Sequence, residues 1–500
     1  MKNRRGAAVL LESLVLGCIL AMTSCGELGT TAGAGDGGTG VGPVTGFGSV
    51  IVNGVKYDDT GIDNTNFFDD RGRNKSDLAA GMMVAISGTF NGRNGTADNI
   101  TVLRHVDGPM DDNGVDLATN GLKVLGQAVL VDTSTVFDNA ITCLADLRTL
   151  QGANAKHPEL EVHGSADNNG VIHATFISRW ADDHVVGDNV QVRGTVAGLD
   201  TAARTFSIGR KTVDYSALGS IPAGFDNGSF AEAKGTLRAL DNALVATSVK
   251  LEDATGGQPS GSRTEAEGYV NRVVTPDASF ELIGANGVQI VTWTPGTTAF
   301  TGGTGADILA GVKVEVEGTR KPDKSLAATK IEIRRANNVR MESTATSVTA
   351  ASLTVFGKTV KVNALTQYKD SSSVNLRTFG QADIRVGETL EVSAFLDNTT
   401  VPRSIVATRV ERIDAVASDR HILQGPVDSA LLPNLVILGI TVGTTPATTF
   451  LRADETAFAT RGDFFAAVTT GDIVKARGNQ ASLAVLMNAN EVQVEPSSPN

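Results

Sequence analysis

The sequence predicts an all-β fold, a tandem array of about six small five-stranded β-barrels of OB-like type. Three recurring patterns predict it: an apolar–Gly–apolar hairpin, a strand of period-two alternation, and a closing Ala-x-x-β-branched segment. A repeat period of this length is the mark of a modular array and outranks any single motif.

The hairpin comes first in each unit. It reads Val52-Asn53-Gly54-Val55, Leu125-Gly126-Gln127, Ile208-Gly209, Ile283-Gly284, Phe356-Gly357-Lys358 and Leu438-Gly439-Ile440, with marker glycines 72, 83, 75, 73 and 82 residues apart. A short turn holding Gly between apolar runs is a hairpin signal. The second pattern follows, as in Val312-Lys313-Val314-Glu315-Val316-Glu317-Gly318 and Gly81 to Gly88, where apolar and polar residues alternate as in a half-buried strand. The third closes the unit: Ala97 with Ile100, Ala174 with Ile177, Ala246 with Val249, Ala328 with Ile331, Ala407 with Val410, and Ala489 with Val492.

An opening strand, the hairpin pair and the closing pair make five strands per unit. The connection between the pairs often begins Thr-x-aromatic, at Thr135, Thr298, Thr366 and Thr448, and Ser76 to Ala80 suits a short helical turn within it. Closure into a barrel removes exposed sheet edges; a flattened sandwich is the alternative. The predicted units are 43–108, 109–184, 185–256, 261–336, 337–415 and 418–497. Stacked end to end they would form an arm of about 100–150 Å.

Ahead of the array lies an address. Lys2, Arg4 and Arg5 precede a mostly apolar stretch from Ala7 to Met22, and Thr23-Ser24 precede Cys25. This order is that of a secretory signal peptide over 1–24. The small residues before Cys25 resemble the lipobox of bacterial lipoproteins, which implies acylation of Cys25 and a bilayer partner held through acyl chains. Cys18 heads a competing lipobox, and simple cleavage to a soluble exported protein is the other reading. Gly26, rather than Asp, after Cys25 favours the outer membrane by analogy with lipoprotein sorting, with the leaflet face open. Residues 25–42, with eight glycines from Gly26 to Gly42, read as a flexible tether. Only Cys143 then remains, so no internal disulfide is expected. Its neighbours Ile141, Leu144 and Leu147 suggest a core position.

Gly46-Phe47-Gly48-Ser49 with Val52 to Val55, the Gly81 to Gly88 strand and the Ala-x-x-Ile closure together resemble an uncharacterised tandem repeat family of predicted bacterial lipoproteins. The resemblance spans nearly all of 45–497 and is strongest in the first unit. It implies a cell-envelope location and the repeat array, and no activity.

Composition narrows function. A net charge of −12 argues against a nucleic-acid partner, and 24 aromatics, with Trp180 and Trp293 the only indoles, leave few stacking platforms. No nucleophile elbow, phosphate loop or dinucleotide fingerprint occurs in the required context, so neither an enzyme nor a cofactor is expected. No metal is expected either; its weak candidates are His163 with His173, flanking the Asp167–Gly170 turn, and Asp111 with Asn113 near Gly114. The expected role is structural scaffolding or protein interaction, with an envelope protein as partner. The alternative is a lipoprotein that binds polysaccharide or a divalent ion.

Overall fold

The computed structural model describes residues 37–138, 141–154, 156–254, 258–397, 400–480 and 486–496. The signal segment and Cys25 lie outside them.

Strand pairing closes each set of strands on itself. In the first set, Gly37–Gly46 pairs antiparallel with Val50–Val52, which pairs with Val55–Asp58. Val55–Asp58 runs parallel to Asn94–Val102, which pairs antiparallel with Met83–Asn91, and that strand returns to Gly37–Gly46. The order around the barrel is first, second, third, fifth, fourth. The same order closes the sets at 106–181, 189–251, 263–334 and 421–494. In the set at 339–413 the first strand is divided between Val339–Thr344 and Ser347–Val348.

Each sequence pattern now has a physical cause. The hairpin residues Asn53-Gly54, Leu125-Gly126, Phe356-Gly357 and Leu438-Gly439 all have positive φ at both positions, the requirement of a type I′ turn. Leu and Phe are rarely left-handed. They are held there by packing: Leu125 and Phe356 are buried, and Leu438 lies over Gly425, where a Cβ would come within 2.8 Å of its Cγ.

The closing hairpin carries a β-bulge at the same place in all six sets, between Ser87/Gly88, His163/Gly164, Lys234/Gly235, Glu317/Gly318, Ser393/Ala394 and Arg477/Gly478. The second residue of each bulge faces the alanine of the closing pattern. The bulge drives a carbonyl into the space of a side chain, so that a Cβ on Gly88 would stand 1.9 Å from the Thr96 oxygen. Gly is therefore needed at Gly88, whereas the fifth set carries Ala394 at this place, and the bulge sharpens the bend that closes the barrel. Thr135, Thr298, Thr366 and Thr448 each donate a hydroxyl hydrogen bond to the carbonyl of that same alanine, at 2.7–3.0 Å. The Thr-x-aromatic pattern thus fastens the connecting segment to the fifth strand.

Three expectations are corrected. The glycine-rich segment was expected to be a tether through residue 42, yet the first strand begins at Gly37 and is mostly buried. It pairs with Met83–Asn91 on one side and, in parallel, with Arg263–Thr275 on the other. Its glycines admit neighbouring side chains, since a Cβ on Gly40 would meet the Tyr57 hydroxyl and one on Gly42 the Asn53 side chain. Cys143 is exposed rather than in the core. It sits just before the helix Leu144–Asn154, whose period turns Leu144 and Leu147 inward and leaves Cys143 outside.

The extended arm is the third. The first strands pair between barrels: first with fourth, second with third, fifth with sixth. The apolar cores of the second and third barrels are continuous, as are those of the fifth and sixth. The fifth barrel also returns to the first and second, with Gln367 donating to the Val44 carbonyl at 3.2 Å and Arg409 to that of Thr133 at 3.2 Å. Residues 35–500 form one compact unit.

Candidate functional site: the polar junction of the first three barrels

The segment after the short strand Phe67–Phe68 carries Asp69, Asp70, Arg71 and Arg73, and the second barrel's closing hairpin carries Glu159, Glu161 and His163. Arg71 forks onto Asp107 through Nε at 2.8 Å and Nη2, and reaches Glu159 at 2.7 Å. Arg73 bridges Asp69 and Glu161, both at 2.5 Å. Arg104, almost wholly buried, pairs with Asp69 and with Glu161 at 3.2 Å. From the third barrel, Lys234 pairs with Asp70 and with Glu232 at 2.7 Å. Arg193 joins Glu232 at 2.5 Å and donates to the Ala285 carbonyl of the fourth barrel at 3.5 Å. One chain of charges therefore runs through three barrels and reaches the fourth by a hydrogen bond to its backbone. Buried charges survive only when paired and hydrogen-bonded in this way.

Trp180 lies against this chain. Its Nε1 donates to Glu161 at 2.7 Å, and the Arg71 and Arg73 guanidinium carbons stand 4.4 and 5.5 Å from its ring centroid. Trp293 belongs instead to the core of the fourth barrel, edge-on to Phe300.

The electrostatics follow from the geometry. Burial works against ionising Glu161, but the His163 hydrogen bond and the Arg104 and Arg73 charges outweigh it and hold the carboxyl well below the usual range. His163 Nδ1 accepts the Met83 amide at 3.1 Å, so the neutral ring carries its proton on Nε2, facing Glu161 at 2.5 Å. Burial keeps that imidazole neutral, pushing its pKa down. Burial, opposed by Arg71, raises Asp107. His105 is pushed down to about 4 by burial and by Arg193.

The weak metal candidates are not brought together. His163 pairs in register with Phe176, whereas His173 pairs with Ser165, stacks on Tyr269 of the fourth barrel at 4.3 Å and faces Asp167 at 3.2 Å. The hairpin register sets them on different rungs, because His173 faces Ser165, two residues along from His163. Asp111 accepts the Gly126 amide with both oxygens at 3.1 Å and so closes a hairpin turn; Asp428 does the same for Gly439 at 2.7 Å. Asn113 is left-handed at φ 50, in the irregular stretch of its strand. The charge chain leaves no local pattern in the sequence, because its partners, such as Arg73 with Glu161 and Lys234 with Asp70, lie far apart in the chain.

A second polar space lies where the first, second, fourth and fifth barrels meet, lined by Asn53, Asp132, His173, Tyr269, Arg334 and Gln367. Its volume, about 120 Å³, is below the range of small-molecule pockets.

These features define a class: a tandem β-barrel repeat protein whose modules are joined by shared strands and buried ion pairs. The profile of the family described as a domain of unknown function, DUF5666, matches residues 107–178, 267–332, 344–411 and 424–487, more than half of the chain. The chain belongs to that family. No curated protein matches it. Among solved structures, Drosophila Unr CSD456 is 13% identical, with 47% of this chain and 99% of that one covered and a TM-score of 0.11. A multidomain protein with nucleic acid binding domains from Streptococcus pneumoniae TIGR4 is 12% identical, with 47% and 75% covered and a TM-score of 0.11.

Proposed function

We propose that this protein is a lipid-anchored, non-enzymatic component of the bacterial cell envelope, probed by its partners through a rigid multi-barrel body of OB-like modules. The observation that carries the scaffold reading is where the recurrent residues are spent. The Thr–Ala hydrogen bonds, the bulge glycines and the turn residues all build barrels, and the charges of the first three barrels join one barrel to the next. The barrel strand order supports the OB-like assignment.

Anchoring rests on the sequence around Cys25. Among the described residues no helix is long and apolar enough to cross a membrane. Residues 26–36 separate Cys25 from the first strand. Fully extended, such a segment spans about 40 Å at most, which would keep the barrels near the bilayer surface. The outer membrane is the proposed location and an envelope protein the proposed partner.

Metabolic labelling with a radioactive fatty acid in the native host tests the anchor, and in-cell crosslinking with mass spectrometry tests the partner. The reading expects label on the wild type, none on Cys25→Ala, and one dominant protein partner that disappears in Cys25→Ala. An unlabelled wild type would remove the anchor; absence of any crosslinked protein above background would remove the scaffold role.

A further inference from the structure

The connection between the second and third barrels brings two side chains that the charge chain does not use against Glu159, which that chain engages through one oxygen only. His184 and Asp188 lie on this connection, and Glu159 opens the fourth strand of the second barrel. Nδ1 or Nε2 of His184 and one oxygen from each carboxylate all fall within 4.8 Å of one another. The His184 side chain is 8% exposed, and neither ring nitrogen has a hydrogen-bond partner. A neutral imidazole carries one donor and one acceptor, and burying both unpaired is unfavourable. Something is expected to engage that ring.

The surroundings say what. His184 Nδ1 faces Glu159 Oε2 at 3.9 Å, too far for a hydrogen bond but close to the separation of two ligands on one ion. Ligands at about 2.0–2.2 Å from Zn²⁺ stand roughly 3.4 Å apart in tetrahedral geometry and about 4.2 Å apart when trans. Glu159 gives its other oxygen, Oε1, to Arg71 at 2.7 Å, which orients the carboxylate and leaves Oε2 free. The histidine is fixed as well: its amide donates to the His157 carbonyl at 2.9 Å, while the His157 amide donates to Asp183 at 2.9 Å. Asp188 is exposed, so it can close on an ion and leaves an entry path.

We propose that Glu159, His184 and Asp188 form a binding site for a divalent cation of Zn²⁺ type, which fastens the connection between the second and third barrels. One imidazole nitrogen and two carboxylate oxygens suit such a borderline metal, with the remaining positions open to water. The site is distinct from His163, both of whose ring nitrogens are engaged, and from His173, whose Nε2 faces Asp167. Because Glu159 is also held by Arg71 of the first barrel, the ion would tie three barrels together.

The test is isothermal titration of the metal-stripped full chain with Zn²⁺, together with thermal unfolding with and without Zn²⁺. The proposal expects one Zn²⁺ per chain and a raised unfolding midpoint. Asp188→Asn, an exposed change that leaves the barrels intact, weakens binding at least about tenfold. His184→Gln abolishes it, and His157→Gln leaves it unchanged. Absence of Zn²⁺ binding by the full chain would overturn the proposal, as would binding that survives unchanged in both Asp188→Asn and His184→Gln.

Discussion

Thr366 donates its hydroxyl to the carbonyl of Ala407 at 3.0 Å and accepts the Asn363 amide at 3.0 Å, so one side chain satisfies two backbone groups where the connecting segment meets the fifth strand. Thr366→Val keeps the shape and strands both groups, and the expected loss is about 1–3 kcal/mol in urea unfolding at unchanged slope. Thr366→Ser restores most of it. If Thr366→Val unfolds like the wild type, the hydroxyl does not hold the segment.

One of the six bulges carries Ala where the other five carry Gly. Gly235→Ala would place a Cβ 1.9 Å from the Val245 oxygen and is expected to lower stability by about 3 kcal/mol or prevent folding of the third barrel. In the fifth barrel Ala394 already occupies the corresponding place, so Ala394→Gly is expected to change stability by only about 0.5–1 kcal/mol. Circular dichroism on heating separates the two outcomes.

Glu265 gives the fold a pH dependence. It is 2% exposed on the first strand of the fourth barrel, and burial pushes its carboxyl up to about 8, with Arg263 opposing and Glu317 and Glu315 adding to the rise. Between its ordinary value of 4.5 and that value, the folded chain holds a proton that the unfolded chain releases. Stability therefore falls as pH rises through this window, by on the order of 5 kcal/mol at full ionisation. Glu315, raised to about 7 mainly by burial, acts in the same direction. Glu265→Gln should flatten the pH profile and raise the unfolding midpoint at pH 9; a wild-type midpoint that climbs from pH 5 to 9 would contradict this.

At the three-barrel junction, Arg73→Ala leaves Glu161 short of one partner. The expected loss is about 2–3 kcal/mol, below that of breaking an isolated buried pair, because Arg104 and His163 remain on the carboxylate. Trp180 fluorescence should change with it, since Arg73 stands over that ring, while the Trp293 contribution stays constant.

Cys143, exposed at the start of its helix, should react with a thiol reagent in the native state, and that signal should vanish in Cys143→Ser. A thiol that reacts only after denaturation would return Cys143 to the core.

The barrels were legible in the sequence because what builds them is local. Turn glycines, period-two strands and the Ala-x-x-β closure all act within about seventy residues, and each leaves a residue-type signature. What joins the barrels was not. The parallel pairing of Gly38–Val41 with Arg263–Ala266 links segments that share no pattern, and glycines suited to close backbone approach look the same as those of a linker. The ion-pair chain joins charges from three separate repeats, so no one stretch of sequence carries it. His184 carries no sequence mark either, since its significance lies in burial without a partner.

The central claim is that the barrels form one interlocked body rather than a string. Small-angle X-ray scattering of residues 35–500 tests it most directly. A compact body of this length has a radius of gyration of about 23 Å, and the account predicts a value close to that. An end-to-end string of barrels about 100–150 Å long would give roughly 30–43 Å, and a measured value in that range would contradict the shared strands and the junctions built on them.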